Sequence, residues 1–126
     1  MGQKWKVTYA LDRQRRLIST IAEGSIVFGD IRDHQDRLLA DPDFDPTFDQ
    51  LIYTIPAIEF VISAEEAKIL ASRRIVSPES RRAFVAIKPH IIGLGRMMEI
   101  YHEGLGYADV EVFDSIDEAM KWLERR

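Results

Sequence analysis

"LLADPDFDPTFDQLIY", residues Leu38–Tyr53, sets Asp41, Asp43, Asp45 and Asp49 around Phe44 and Phe48. It is either a cation-binding loop or a joint between a helix and a strand, and the reading of the fold turns on which. Aspartates at the first, third and fifth places match the start of a calcium loop. Such a loop needs glycine at the sixth place for its sharp turn and a bidentate glutamate at the twelfth, where Pro46 and Ile52 stand instead. The joint explains more. Pro42 and Pro46 push Asp41 and Asp45 out of helical geometry, which ends a helix running through Leu39. Aspartate side chains accept from nearby backbone N–H groups and stabilise such turns. Phe44 and Phe48 are then expected to close the bottom of the core. A helix precedes the stretch and a strand follows it.

Upstream, Val27, Ile31 and Leu38, with Phe28 and Leu39 beside them, share a helical face from about Gly29. Before that, Trp5, Val7, Tyr9 and Leu11 alternate with polar residues as in a half-buried strand. "DRQRR" turns the chain into a second strand, "LISTIAE", which stops at Gly24, and a hairpin is the economical connection. Downstream, "QLIYTI" (50–55) is nearly continuous apolar, as expected of a strand buried on both faces. "SAEEAKILASRR" (63–74) is helical, with Ser63 and Glu66 at capping-box spacing and Ala67, Leu70 and Ala71 facing inward. "RRAFVAI" (81–87) is the next central strand, stopped by Pro89. "PHIIGLGRMMEIYHEG" (89–104) is helical, with Pro89 near its start and Gly104 at its end. "DVEVF" (109–113) is a last short strand, and "SIDEAMKWLERR" (115–126) a final helix with Ser115 and Glu118 spaced as a second box.

The order β-β-α-β-α-β-α-β-α predicts one α/β domain over residues 1–126. Its sheet is mixed, mostly parallel, of four or five strands with about four helices, the parallel strands joined by right-handed crossovers.

Composition narrows the function. With 126 residues, 46% hydrophobic and 30% charged, the chain is neither disordered nor membrane-embedded. No apolar run nears the roughly 20 residues that span a bilayer, and the first residues lack a signal-peptide core. Gly2 begins a myristoylation-like start, but Lys6 stands where serine or threonine is needed. A net charge of −4 argues against nucleic-acid binding. The basic clusters Arg13, Arg15, Arg16 and Arg73, Arg74, Arg81, Arg82 read as solvated turns at element ends. Without cysteine there is no disulfide framework, thiolate nucleophile or zinc-thiolate site. A cytoplasmic location fits.

No catalytic constellation emerges. His90 and His102 lie about 18 Å apart on one helix, too far to share a metal. His34 could join Asp30 on a metal, but a partly buried histidine bonded to a neighbour is the simpler expectation. Gly93 and Gly95 form a lone G-x-G without the third glycine of a dinucleotide fingerprint, and are expected to let a helix approach the sheet. Walker A, HExxH and nucleophile-elbow motifs are absent. Glu65, Glu66, Asp117 and Glu118 fall in first helical turns, where negative charge favours the helix dipole. Trp5, Trp122 and Tyr53 read as packing aromatics. Neither a metal nor a cofactor is expected.

In "LLADPDFDPTFDQLI", "RRAFVA", "GLGRMMEIY" and "VFDSIDEAMKWL", taken in order, the chain resembles the STAS superfamily, the anti-sigma-factor antagonist fold. It is most similar to the SpoIIAA-like branch of small, mostly uncharacterised bacterial proteins. The resemblance implies a mixed sheet with helices mainly on one side. In phosphorylatable members, an Asp-Ser-Ser-Gly-like motif precedes the second helix, and a partner kinase modifies its serine. The matching stretch is "FVISAEEA": Ile62 replaces the Asp, Ser63 matches the first Ser, Ala64 replaces the phospho-acceptor and Glu65 replaces the Gly. A phosphoswitch of the usual form is therefore not expected, and Ser63 is assigned as an N-cap.

Three functions follow, in descending weight. The first is a regulatory, non-enzymatic protein-interaction module that meets a protein partner through Ile62, Ser63, Ala64 and Glu65. The second is a carrier or sensor for a small apolar, lipid-like ligand, as the resemblance implies, with Ile91, Ile92, Met97, Met98 and Tyr101 lining a pocket; the same helix could instead make a homodimer contact through Ile92. An enzyme comes last.

Overall fold

The computed structural model describes residues 5–106 and 109–125. Gly2, and with it the lipidation reading, lies outside them, as does Arg126. The elements are β1 (Val7–Asp12), β2 (Leu17–Ala22), β3 (Gly24–Val27), α1 (Phe28–Ala40), β4 (Asp49–Tyr53), β5 (Ala57–Val61), α2 (Ala64–Ser72), β6 (Arg82–Val85), α3 (Pro89–Gly104), β7 (Val110–Phe113) and α4 (Ile116–Glu124). Five strands form the main sheet in the order β1-β2-β4-β6-β7. β1 and β2 are the antiparallel hairpin, and β2, β4, β6 and β7 run parallel. This is the expected α/β domain with four helices and a mixed, mostly parallel sheet.

Two short strands depart from the expectation. β3 and β5 pair in parallel as a separate two-stranded sheet, Ile26 opposite Phe60 and Val27 opposite Val61. Gly24, at φ 79°, swings the chain out of the main sheet after β2, and its N–H donates to the Pro56 carbonyl at 3.1 Å. Each strand is too short to show its own period, so in sequence they merge with the end of β2 and the approach to α2.

The strand pleat sorts the core into two sides. Ala119 and Leu123 of α4 pack on Leu17, Leu51, Ala83 and Val85. The alternate residues face α1, α2 and α3: Ile91 joins Val7, Ala22, Phe84 and Ala86, while Leu38 joins Ile18, Phe48, Ile75 and Val76. Gly95 is where α3 comes closest, because a Cβ there would lie 2.8 Å from Phe84 Cδ1 and 3.0 Å from Val112 Cγ2.

Three of the four aspartates of the acidic joint, Asp41, Asp45 and Asp49, accept hydrogen bonds from the chain itself, and Asp43 lies 3.6 Å from the Arg13 guanidinium. Asp41 accepts from the Asp43 N–H at 2.9 Å and the Tyr9 hydroxyl at 2.7 Å. Asp45 accepts from the Thr47 N–H and hydroxyl, both at 2.9 Å, and Asp49 from the Arg81 N–H at 2.8 Å. These bonds to the ionised form hold the Asp41 and Asp45 carboxyls below the ordinary aspartate range. Phe48 is buried under β4 and Phe44 packs beside it. Trp5 lies under the Arg37 guanidinium at 4.1 Å, and Trp122 packs on Phe113.

Candidate functional site

Three neighbouring strands each turn one polar side chain toward the three-helix side: Thr20 on β2, Gln50 on β4 and Arg82 on β6. They occupy inward positions that apolar residues otherwise fill, alternating with Ile18, Ala22, Ile52 and Phe84. Gln50 and Arg82 are direct partners in the parallel register. Arg82 Nε and Nη2 donate to Gln50 Oε1 at 3.3 and 3.1 Å, and Gln50 Nε2 donates to Thr20 Oγ1 at 2.9 Å. Thr20 Oγ1 in turn lies 3.4 Å from Nε2 of His34 on α1. On the other arm, Arg82 Nη1 meets His102 Nε2 at 2.6 Å, and His102 Nδ1 lies 2.8 Å from the Met98 carbonyl one turn earlier on α3. Thr20, Gln50, His34 and His102 are all buried.

Above this polar floor is a cavity of about 110 Å³, walled by Ile31, Ile52, Phe60, Ile62, Leu70, Phe84, Leu94 and Met98. Thr20, His34, Gln50 and Arg82 line it with them. Burial, then the Arg37 and Arg82 cations, push the His34 imidazole down to about 3. Burial and Arg82 push His102 down to about 4, against the opposing pull of the Met98 carbonyl. Both histidines are therefore neutral at physiological pH. His34 Nδ1 is buried and has no hydrogen-bond partner, which is costly unless something completes it. A wider groove of about 510 Å³ near the β1–β2 turn and α4 is lined largely by exposed side chains, among them Arg15, Arg16, Glu79 and Glu124.

The residues singled out from sequence fall in several places. Ile62, expected on the surface, is half-buried and walls the cavity. Ser63 is the N-cap of α2: its hydroxyl accepts from the Glu66 N–H at 3.0 Å, and its own N–H donates to Glu66 Oε1 at 2.9 Å. Ala64 and Glu65 beside it are exposed. Met98 lines the cavity, while Ile91 belongs to the core and Ile92, expected on an exposed face, is half-buried against the same cluster. Met97 and Tyr101 are half-buried, with Lys68 Nζ 5.6 Å from the Tyr101 ring. His90 is exposed, its Nε2 3.2 Å from the Ile58 carbonyl.

Arg82 corrects the reading of its cluster as a solvated turn, since its side chain is committed to the polar floor. Sequence reasoning also passed over Thr20 and Gln50, and weighed His102 only as a metal ligand. For the first two the signal was present: polar residues at strand positions whose two-residue neighbours point inward. Among the described residues, no group of three or more histidine or acidic side chains is placed to hold a metal ion. Nor is any helix among them long and apolar enough to cross a membrane.

No protein-family model matches the chain, and neither does any curated protein. A solved structure does: an uncharacterised protein of the DUF3478 family, with a SpoIIAA-like fold, from Shewanella loihica PV-4. The match covers 98% of each chain at 14% identity, with a TM-score of 0.62. An end-to-end match at that identity is a likeness of fold. The five-stranded mixed sheet, its four helices and this match together show that the chain has a SpoIIAA-like fold.

Proposed function

We propose that this domain is a non-catalytic binder of a small ligand, and that the cavity between the main sheet and α1, α2 and α3 is its site. One observation carries the reading: a hydrogen-bonded polar chain through Arg82, Gln50, Thr20 and His34 floors a cavity whose walls are mostly apolar. Volume sets the scale. The space is about 110 Å³. The occupant is therefore a molecule of a few heavy atoms, below the roughly 300 Å³ where drug-sized sites begin. An alkyl chain of lipid length enters only if α2 or α3 moves aside. Catalysis is not supported by the Thr20–His34 pair, because an imidazole pushed down to about 3 is a poor base at neutral pH.

Methyl NMR under pressurised xenon tests this reading without assuming ligand polarity. Saturable shifts are expected at Ile52, Ile62, Leu94 and Met98, and their loss in Leu94→Phe, which fills the space. Wild-type methyls that ignore xenon would remove the cavity and the reading with it.

A second reading keeps the protein-interaction module. Its support is a pair of exposed apolar side chains on the small sheet, Val27 and Val61, which are direct partners in its register. Val61 adjoins the exposed Ala64–Glu65 turn. Co-purification with wild type and with Val61→Asp tests it; identical partners at equal yield would count against it.

A further inference from the structure

The cavity has three helical walls, and they are not held alike. α3 is seated on the main sheet by Ile91, which is buried in the core, and by Gly95, where a Cβ would strike Phe84. α1 is seated by Leu38, buried with Ile18 and Phe48. α2 has no such seat. Its principal neighbours are α1 and α3 rather than any strand. It buries Ala67, Leu70 and Ala71, and among the described residues none of the three joins a core cluster. Ala67 and Leu70 face the cavity instead, with Ile62 just ahead of them in the chain. Two alanines and a leucine over an open space leave little apolar contact to break when this helix lifts.

The two seams of α2 also differ. Toward α1 it is bolted by directional bonds. Arg73 Nη1 donates to Gln35 Oε1 at 3.0 Å and to the Arg32 carbonyl at 3.3 Å, and Arg73 Nη2 pairs with Asp36. Gln35 Nε2 returns a bond to the Leu70 carbonyl at 3.3 Å. Toward α3, the described residues of α2 make no hydrogen bond or ion pair. Lys68 Nζ lies 5.6 Å from the Tyr101 ring, beside a groove of about 330 Å³ that runs past Ser72, Ile100 and Gly104. The chain changes direction at both ends of the helix, at the Ser63 cap and at Arg74 with its φ of 52°, before Ile75 and Val76 rejoin the core.

We propose that α2 is the lid of the cavity, lifting along its seam with α3 while Arg73 keeps it hinged to α1. The inference rests on the cavity reading above and adds the route by which a ligand enters.

The chain has no cysteine, so an introduced pair can be bridged singly with a short bismaleimide. Lys68→Cys with Ile100→Cys places the bridge between exposed positions across the α3 seam. Asp36→Cys with Arg73→Cys places it across the α1 seam. Entry of isobutane is read as exchange at the methyl resonances of Ile52, Leu94 and Met98. Bridging the α3 seam is expected to slow that exchange about tenfold against the same variant unbridged, and bridging the α1 seam to leave it at the wild-type rate. Without any ligand, the amides of α2 are expected to exchange about tenfold faster than those of α1 and α3, a difference that the α3 bridge removes. Isobutane that ignores the α3 bridge, or stays out where xenon enters, overturns the lid and leaves the cavity reading standing. So do α2 amides as slow as those of its neighbours, or an α1 bridge that blocks entry as well as the α3 bridge does. If neither xenon nor isobutane binds, the cavity reading falls and the lid falls with it.

Discussion

Gly93 and Gly95 sit two positions apart on α3 and answer to different physics. A Cβ on Gly93 meets nothing within 4 Å, whereas one on Gly95 meets Phe84 and Val112. Gly93→Ala is expected to stabilise the helix by up to about 1 kcal/mol, and Gly95→Ala to destabilise by about 1–3 kcal/mol through overpacking. Thermal unfolding should show midpoints moving in opposite directions. Arg74 offers another single-residue test. It follows α2 in the left-handed region at φ 52°, where glycine normally sits. The steric cost of about 1–2 kcal/mol exceeds the roughly 0.4–1 kcal/mol that glycine's unfolded-state freedom takes back. Arg74→Gly should therefore raise stability by about 0.5 kcal/mol in urea titrations. The sequence suggested that these glycines bring a helix close to the sheet. It could not say which one does, because Phe84 and Val112 arrive from elements distant in the chain.

At the scale of elements, local chemistry was legible and short pairing was not. The box of Ser63 with Glu66 was readable from spacing, and Ser63→Ala is expected to cost about 1 kcal/mol by chemical denaturation. Ser115 makes the forward bond of its box, accepting from the Glu118 N–H at 3.2 Å. The acidic joint was readable from its prolines, and Asp41, Asp45 and Asp49 are engaged by the chain's own N–H and O–H groups while Asp43 pairs with Arg13. Calcium at millimolar concentration is accordingly expected to leave the unfolding midpoint unmoved; a saturable rise would contradict this account of the joint. The β3–β5 pair was illegible because Val27 reads with the face of the following helix, and because the pairing depends on a turn at Gly24 that the sequence marks only as a stop.

For the whole molecule, the two buried histidines predict acid sensitivity. Both fold with their pKa depressed, to about 3 for His34 and about 4 for His102, against about 6.5 when unfolded. The stability tied to their neutral form is complete above pH 6.5. It declines as pH falls toward 4, by up to about 1.4 kcal/mol per histidine per pH unit. Urea titrations at pH 7.5, 6 and 5 should show this fall, and His34→Phe should lessen the slope. Asp41 and Asp45 act in a lower window: their depressed carboxyls favour the fold above about pH 4 and lose that contribution as they protonate. The mixed, mostly parallel sheet and the helix count followed from the alternation of strand and helix patterns along the chain. The site did not, because Thr20, Gln50, Arg82 and His34 meet only once four separate elements are assembled; His34 alone reads as a partly buried histidine, with nothing to name its partner.

The chain of polar groups across β2, β4 and β6 also bears on how this sheet finds its alignment. Sliding one parallel strand past another by two residues keeps every inward side chain inward, so oiliness alone penalises the slip weakly. Here such a slip would carry Gln50 away from Arg82 and leave a guanidinium stranded in hydrocarbon. The arginine and the amide act as a key and its slot: misaligned sheets are rejected by an orphaned charge, not by a loss of grease.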